Sequence, residues 1–452
     1  MVIQKNKASQ ESHINSLFSD TQPKFEICFE VDQIDQTLAH ATVIIPAEMV
    51  EILYHETALS QIESSHTTGF SKGKVPIEYI KINFREKLID HLKELLFKYV
   101  VIGELYKNIR LEKLMVAGYP RLMNISLAPE SDARFSFELT IYSDLPHFEW
   151  KFLPFKAPKR KNYKDLDRQV TSFIRDEKTN YDACPVGKLI MGDWVNFDLS
   201  FANNQNQPIL GLFSENFWFH LGHDETEGSL REIFLGKQIG EEIYTRAQGI
   251  QEYFSDQLDT QYNFHIKITD ILPHSYICMD QFKRHFRIKT NKELHKKLIE
   301  VFSYRNDISQ RRAMVEAAFQ LLFSKYRFDV PNHLVLRQKQ VLLDVLRENP
   351  DYNVYRVQKD FRHRINQLAE KQTKESILID RLAYQDNLNI TNHDVKSYLN
   401  LTLRPRMKEF IYFDLPVFKI QGQEVPIPTE EIKRTVMREK TVNLLIHHLT
   451  KA

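Results

Sequence analysis

Ser64-Ser65-His66-Thr67-Thr68-Gly69-Phe70-Ser71-Lys72-Gly73-Lys74-Val75-Pro76 is the stretch that decides how the first third of this chain is read. It holds two glycines, a terminating proline and no acidic residue. Gly69 and Gly73 relax the backbone and Pro76 interrupts hydrogen bonding, so the stretch is a loop. Upstream, an apolar run ends at Ile44-Ile45, and Pro46 stands where a first helical residue loses nothing by lacking an N–H. Glu48 then sits near the positive end of a helix running to about Glu63. Before it, Phe25, Ile27, Phe29 and Val31 alternate with Glu26, Cys28, Glu30 and Asp32, the period of a half-buried strand. Downstream, helical sequence runs through Lys81 to Leu105, and Phe135, Phe137, Leu139 and Ile141 mark another strand. The region is an α+β unit whose basic loop joins two helices.

The chain has 452 residues, too many for one ordinary core, so two to four domains are expected. A hydrophobic content of 42% with 27% charged residues places it among globular proteins. Lys and Arg total 61 against 60 Asp and Glu, so any basic contact surface must be local. Cys28, Cys184 and Cys278 have no metal-ligand spacing and suit a reducing compartment. The N-terminal residues lack the apolar core of a signal peptide, and no stretch reaches the roughly 18 to 20 apolar residues of a membrane span. The expectation is a soluble cytoplasmic protein.

Residues 1–22 are polar and read as a flexible extension, followed by the α+β unit over 23–150. Residues 151–163 are proline-containing and basic, and with a short charged helix from Lys164 to about Glu177 they form a linker over 151–183. From 184 to 272 the pattern is short strands and turns: Asp193 to Asp198, the polar turn Asn203 to Gln207, Phe217-Trp218-Phe219, and Phe264 to Ile268. Residues 273–452 are almost all helical. Thr290 and Glu293 form a capping box, Leu294, Leu298 and Val301 share a face, and Val315, Phe319, Leu322 and Tyr326 keep helical spacing. Asp329-Val330-Pro331 breaks the pattern; further helices follow to about Leu346, from about Val354 to Asn387, from Asn392 to Leu401 and from Thr429 onward.

Ile45-Pro46-Ala47-Glu48, a helix, and then Gly69 to Pro76 resemble the ribosome-binding domain of bacterial trigger factor. Ala117-Gly118-Tyr119-Pro120, Gly240-Glu241-Glu242 and Asp329-Val330-Pro331 resemble further family motifs, in the family order, over essentially the whole chain. The resemblance implies an α+β ribosome-binding domain, an FKBP-like β-rich domain and an elongated helical chaperone domain. It also implies an ATP-independent chaperone that binds the large ribosomal subunit at the exit tunnel, through ribosomal protein and rRNA, and shields nascent or unfolded polypeptides. The docking residues it implies are Gly69, Phe70, Ser71, Lys72, Gly73, Lys74 and Pro76. Lys72 and Lys74 suit phosphate or carboxylate contacts, and Phe70 an apolar anchor. Ser71 replaces the family's usual Arg, which makes planar bidentate contacts that Ser cannot.

FKBP-type catalysis holds a proline in an aromatic-lined apolar pocket and stabilises the twisted amide, against a barrier of about 18 to 20 kcal/mol. The resemblance places that pocket at Phe217, Phe219, Glu227, Leu230 and Tyr253, with Glu227 where an apolar residue is usual, Gly228 for Pro and Leu230 for the aromatic. A carboxylate there is costly to bury. The expectation is an isomerase fold with eroded activity; three core aromatics of a β domain are the plain alternative for Phe217, Phe219 and Tyr253. No metal, nucleotide or other cofactor is implied, and a homodimer off the ribosome stays open. The rival readings are an active prolyl isomerase acting on Xaa-Pro bonds, a periplasmic chaperone, and an RNA-binding assembly factor.

Overall fold

In a computed structural model the described residues are 25–64, 69–71, 73–142, 147–158, 165–183, 187–222, 230–305, 307–347, 349–420 and 422–451. The extension over 1–22, Lys72, the basic Lys159-Arg160-Lys161 run, Cys184 and Glu227 lie outside them.

The period-two reading at the start becomes β1 (Cys28–Gln33) and β2 (Leu38–Ile45), which pair antiparallel. The chain then forms α1 (Ala47–Ser64), α2 (Ile77–Asn83), α3 (Arg85–Leu96), a π-helical turn over Phe97–Val101 and α4 (Ile102–Leu111). The single helix expected to run through Lys81 to Leu105 is therefore broken at Phe84, and its last part is offset by the π turn. It returns through β3 (Val116–Ser126) and β4 (Ala133–Ile141) to complete a sheet of order β1-β2-β4-β3. Ala41 lies opposite Phe137 and Val43 opposite Phe135, so small residues on one strand make room for large ones on the next. The β3–β4 register shifts between Ala117 and Arg121, where Gly118 takes φ +69° and Pro120 cannot donate to the ladder.

After α5 (Leu166–Ala183) comes a second sheet: β5 (Trp194–Ala202), β6 (Glu215–His220), α6 (Arg231–Phe234), β7 (Glu242–Thr245), α7 (Gln248–Phe254) and β8 (Asn263–Leu272). The C-terminal region follows with α8 (Met279–His285), α9 (Asn291–Phe302), the small hairpin β9 (Tyr304–Arg305) and β10 (Ile308–Ser309), then α10 (Gln310–Lys325). Next are α11 (Asn332–Arg347), α12 (Tyr352–Arg356), α13 (Phe361–Gln385) and α14 (Asn392–Leu399). A second small hairpin, β11 (Lys419–Ile420) and β12 (Gln423–Glu424), precedes β13 (Ile427–Pro428) and α15 (Thr429–Leu449). The Thr290–Glu293 capping box is present at α9. Pro331 opens α11 by accepting the Leu334 N–H at 3.0 Å, which is what the Asp-Val-Pro break does physically.

β13, from the C-terminal region, adds to the second sheet, whose order is β13-β6-β5-β8-β7. The helices α1, α3 and α4 lie between the two sheets, and one buried apolar cluster runs from Ala39 and Phe137 on the first to Phe197 and Phe264 on the second. The π turn makes this geometry available. It buries the consecutive residues Tyr99, Val100 and Val101. Phe97 stacks towards Phe135 and Phe137 of the first sheet (6.4 Å to each), while Tyr99 meets Phe201 of the second at 4.9 Å.

α15 ties the C-terminal helices to the rest. Arg434 donates to the carbonyls of Val116 and Gly118 at 2.9 and 2.7 Å, Glu430 accepts from Arg110 at 2.8 Å, and Arg438 grips Asp380 of α13 with two bonds of 2.8 and 2.6 Å. The Ala-Gly-Tyr-Pro motif therefore marks a place where a left-handed glycine turns its carbonyl to a half-buried arginine.

Candidate docking loop and aromatic sheet face

The loop between α1 and α2 stands on a fixed base. Val75 is buried, Pro76 accepts the N–H groups of Tyr79 and Ile80 at 3.0 and 3.3 Å, and Ile80 is buried beneath α2. Tyr54 of α1 donates to the Lys81 carbonyl at 3.1 Å, so the two helices carrying the loop are joined below it. Above this base the described residues turn outward. Gly69 and Gly73 take φ +95° and +78° with no atom within 4 Å of where a Cβ would stand; both are needed for conformation, not for space. The Lys74 N–H closes a turn on the Ser71 carbonyl at 3.0 Å. Ser71, Gly73 and Lys74 are exposed, and Phe70 keeps 39% of its surface in solvent. Its ring leans on Tyr79 at 5.1 Å and 57°, which orients it without burying it. Ile82, on α2, is 73% exposed. The tip is thus an apolar ring beside an ammonium group with no ion pair among the described residues, able to bind an anionic surface that also offers an apolar dent.

The expected isomerase pocket meets a different fate. Phe217 and Phe219 project from β6 into the buried cluster, and Leu230 joins them. Phe217 stacks on Phe197 at 5.8 Å and meets Tyr253 edge-on at 6.3 Å, while Phe219 packs on Phe234 at 5.8 Å. The structure brings Phe217 and Tyr253 together as neighbours, but within a core. The sheet face that carries these rings is covered by the helical layer. Tyr99 is fully buried there, donates to the Leu199 carbonyl at 3.0 Å, and sets its ring edge-on to Phe201, Phe213 and Phe254 at 4.9, 5.6 and 5.8 Å. Burial pushes its hydroxyl far above the usual phenol range.

Around this plug a seam of polar bonds fixes the helices to the sheet. Thr57 of α1 bonds the Tyr262 hydroxyl at 2.7 Å, and that hydroxyl meets His91 Nε2 of α3 at 3.0 Å. Gln61 donates to the Asp259 carbonyl at 2.8 Å, and Ser60 accepts the Gln261 N–H at 2.7 Å. Lys98 donates to the Tyr253 carbonyl at 2.7 Å. His91 is buried, its Nδ1 has no partner among the described residues, and desolvation lowers its pKa to about 4, so it is neutral at ordinary pH.

An open cleft of about 770 Å³ does lie beside this region, and Leu230 and Tyr253 belong to its wall. Glu94, Glu252, Asp256 and Asp259 share that wall, whereas Phe217 and Phe219 do not reach it. Tyr99, Tyr262 and His91 escaped the reading of the sequence because a single buried aromatic or histidine on a helix looks like any core residue. What they pack against is set by tertiary structure. Among the described residues, no group of three or more His, Cys, Asp and Glu side chains could hold a metal ion, and no helix is long and apolar enough to cross a membrane.

Comparison with known proteins places these features in a family. The model of the bacterial trigger factor protein (TF) matches residues 28–172, which contain the whole loop, its two helices and the first sheet. Trigger factor of Geotalea daltonii is 23% identical over 398 residues, covering 84% of this chain and 88% of its own length. Trigger factor of Fusobacterium nucleatum is 22% identical over 424 residues, covering 90% and 93%. A solved structure, reported under the heading of promiscuous substrate recognition in folding and assembly activities of the trigger factor chaperone, covers 93% of this chain at 14% identity, with a TM-score of 0.35. The loop and the Gly118 turn lie inside the matched span, and over most of its length the chain is similar to trigger factors.

Proposed function

We propose that this protein is a ribosome-associated, ATP-independent chaperone that docks through Gly69, Phe70, Ser71, Lys72, Gly73, Lys74 and Pro76 and shields nascent chains. The observation that carries the reading is an exposed, acid-free loop tip on a rigid two-helix base, inside the segment that matches the family. The partner is the large subunit near the exit tunnel. There, Lys72 and Lys74 meet rRNA phosphates or carboxylates of a ribosomal protein, and Phe70 enters an apolar dent. The protein works in the cytoplasm.

The client surface is the arm made by α11 and α13. Leu336, Val345 and Leu368 are 53%, 61% and 38% exposed along it. Each apolar contact with an unfolded segment contributes about 1 to 2 kcal/mol, weak enough for clients to leave and fold. The covered aromatic face supports a holding role without prolyl-isomerase turnover.

A photoreactive group in a ribosome-bound nascent chain tests the proposal. The expected product is an adduct between the nascent chain and this protein. Crosslinks to ribosomal RNA alone, with none to the nascent chain, would replace the chaperone reading with an RNA-binding assembly factor.

A further inference from the structure

The far end of the α11–α13 arm carries a second feature, independent of the docking loop. α13 is 25 residues long, about 37 Å, and only its C-terminal half enters the C-terminal core, through residues such as Leu378, Ile379 and Leu382. Gln338 and Gln372 are bonded at 2.9 Å across the arm, so the two helices remain paired away from that core. Beyond them sits α12, a helix with no buried residue. Its surroundings combine exposed Val354, Tyr355 and Val357 (62%, 41% and 75%) with the exposed cations Arg356, Lys359 and Arg362.

The charge balance favours an anionic partner. Among the described residues from 349 onward, the carboxylates at this tip are Asp351 and Asp360. Asp360 is paired with Arg364 at 2.5 Å, and Asp351 is exposed at the start of α12. Arg356, Lys359 and Arg362 make no ion pair among the described residues. The Arg356 guanidinium lies 5.9 Å from the Tyr352 ring, which in turn packs edge-on to Phe361 at 6.3 Å. This small aromatic base holds one cation outward, with Tyr355 exposed beside it. Guanidinium and ammonium groups interleaved with an accessible aromatic ring are what a flexible phosphate backbone with splayed bases requires: the cations track the phosphates and the ring stacks a base. An apolar client would use the valines but gain nothing from three exposed cations.

We propose that the tip of the α11–α13 arm is a single-stranded RNA contact, in which Arg356, Lys359 and Arg362 meet phosphates and Tyr355 stacks on a base. The site is separate from the docking loop and operates on free RNA.

The test is fluorescence anisotropy of the full chain with a labelled 20-nucleotide single-stranded RNA of mixed sequence, from 50 to 200 mM salt. Three phosphate contacts predict a slope of log K against log salt of about −2. R356A/K359A/R362A, whose side chains are exposed and whose thermal midpoint should match wild type, is expected to bind about tenfold more weakly at 50 mM salt with the slope largely lost. Tyr355→Ala is expected to weaken binding about fivefold with the slope retained. Arg168→Ala/Lys178→Ala, at exposed positions of α5, should bind the RNA as wild type does, which separates this contact from the general attraction of surface cations. Equal affinity of the triple variant and wild type overturns the proposal. So does binding to vesicles containing anionic lipid with none to the RNA.

Discussion

The docking loop and the aromatic sheet face are the two places to which the family resemblance assigns chemistry, and the fold treats them in opposite ways. The loop residues are lifted off a fixed base: Val75 and Ile80 are buried below, while Phe70, Ser71 and Lys74 stand in solvent above. The aromatic face is drawn inward until Phe217 and Phe219 keep at most 2% of their surface. A contact site must leave part of its binding energy unspent in the free protein, as the half-exposed Phe70 ring does. The sheet face has already spent its own on Tyr99, Phe234 and Phe254. The helices that carry the loop are also the ones that cover the sheet, so exposing the one and covering the other are two aspects of the same packing.

The largest effect expected on this contrast comes from Tyr99→Ala. Removing a fully buried ring and its bond to Leu199 should cost about 3 to 5 kcal/mol of stability, read from the denaturant midpoint. Phe70→Ala should stay within about 1 kcal/mol of wild type in the same experiment. Similar losses for the two would mean that Phe70 is a core residue or that Tyr99 is not a plug.

His91 gives the next effect, through pH. Its folded pKa of about 4 lies below the ordinary 6.5, so between those values the unfolded chain binds more protons and stability falls as pH drops. The loss amounts to about 3 kcal/mol when complete near pH 4, and it should largely vanish in His91→Gln. Glu375, Glu431 and Glu439, each raised to about 7 by burial, act in the opposite sense as pH rises, so the difference between variant and wild type is the quantity to measure. A variant and a wild type that lose stability in parallel down to pH 4 would place His91 outside the buried seam.

Catalysis sharpens the comparison further. With the aromatic face covered, an Xaa-Pro peptide should isomerise at its uncatalysed rate in the presence of the protein. Turnover at a level typical of FKBP-type enzymes would show that the helical layer lifts away. The smallest effect belongs to Ser71→Arg. Restoring a planar bidentate donor at an exposed tip should tighten ribosome binding about fivefold, equivalent to roughly 1 kcal/mol. No change would place residue 71 outside the contact.

Much of this was legible in the residues. The glycines and proline of the loop declare a turn wherever they occur, and alternation named the buried residues Phe135, Phe137, Leu139 and Ile141 correctly. Periodicity reports which face of an element is buried, but not against what. Phe217-Trp218-Phe219 therefore reads equally well as a pocket wall or a core strand, and the choice depended on Tyr99, more than 100 residues away, projecting from a π turn that no local pattern announces. β13 was missed for the same reason. Ile427 and Pro428 make a strand only because β6 presents an edge to pair with. The helix expected from Val354 to Asn387 is α12 and α13, divided where the exposed tip turns.

The central claim is that the loop, and not the covered sheet, makes the functional contact. Co-sedimentation with ribosomes tests it most directly, comparing wild type, Phe70→Ala/Lys72→Ala, and Phe217→Leu as a change confined to the buried face. The account predicts that the loop variant stays in the supernatant while Phe217→Leu pellets as wild type does. A loop variant that pellets as fully as wild type would contradict it.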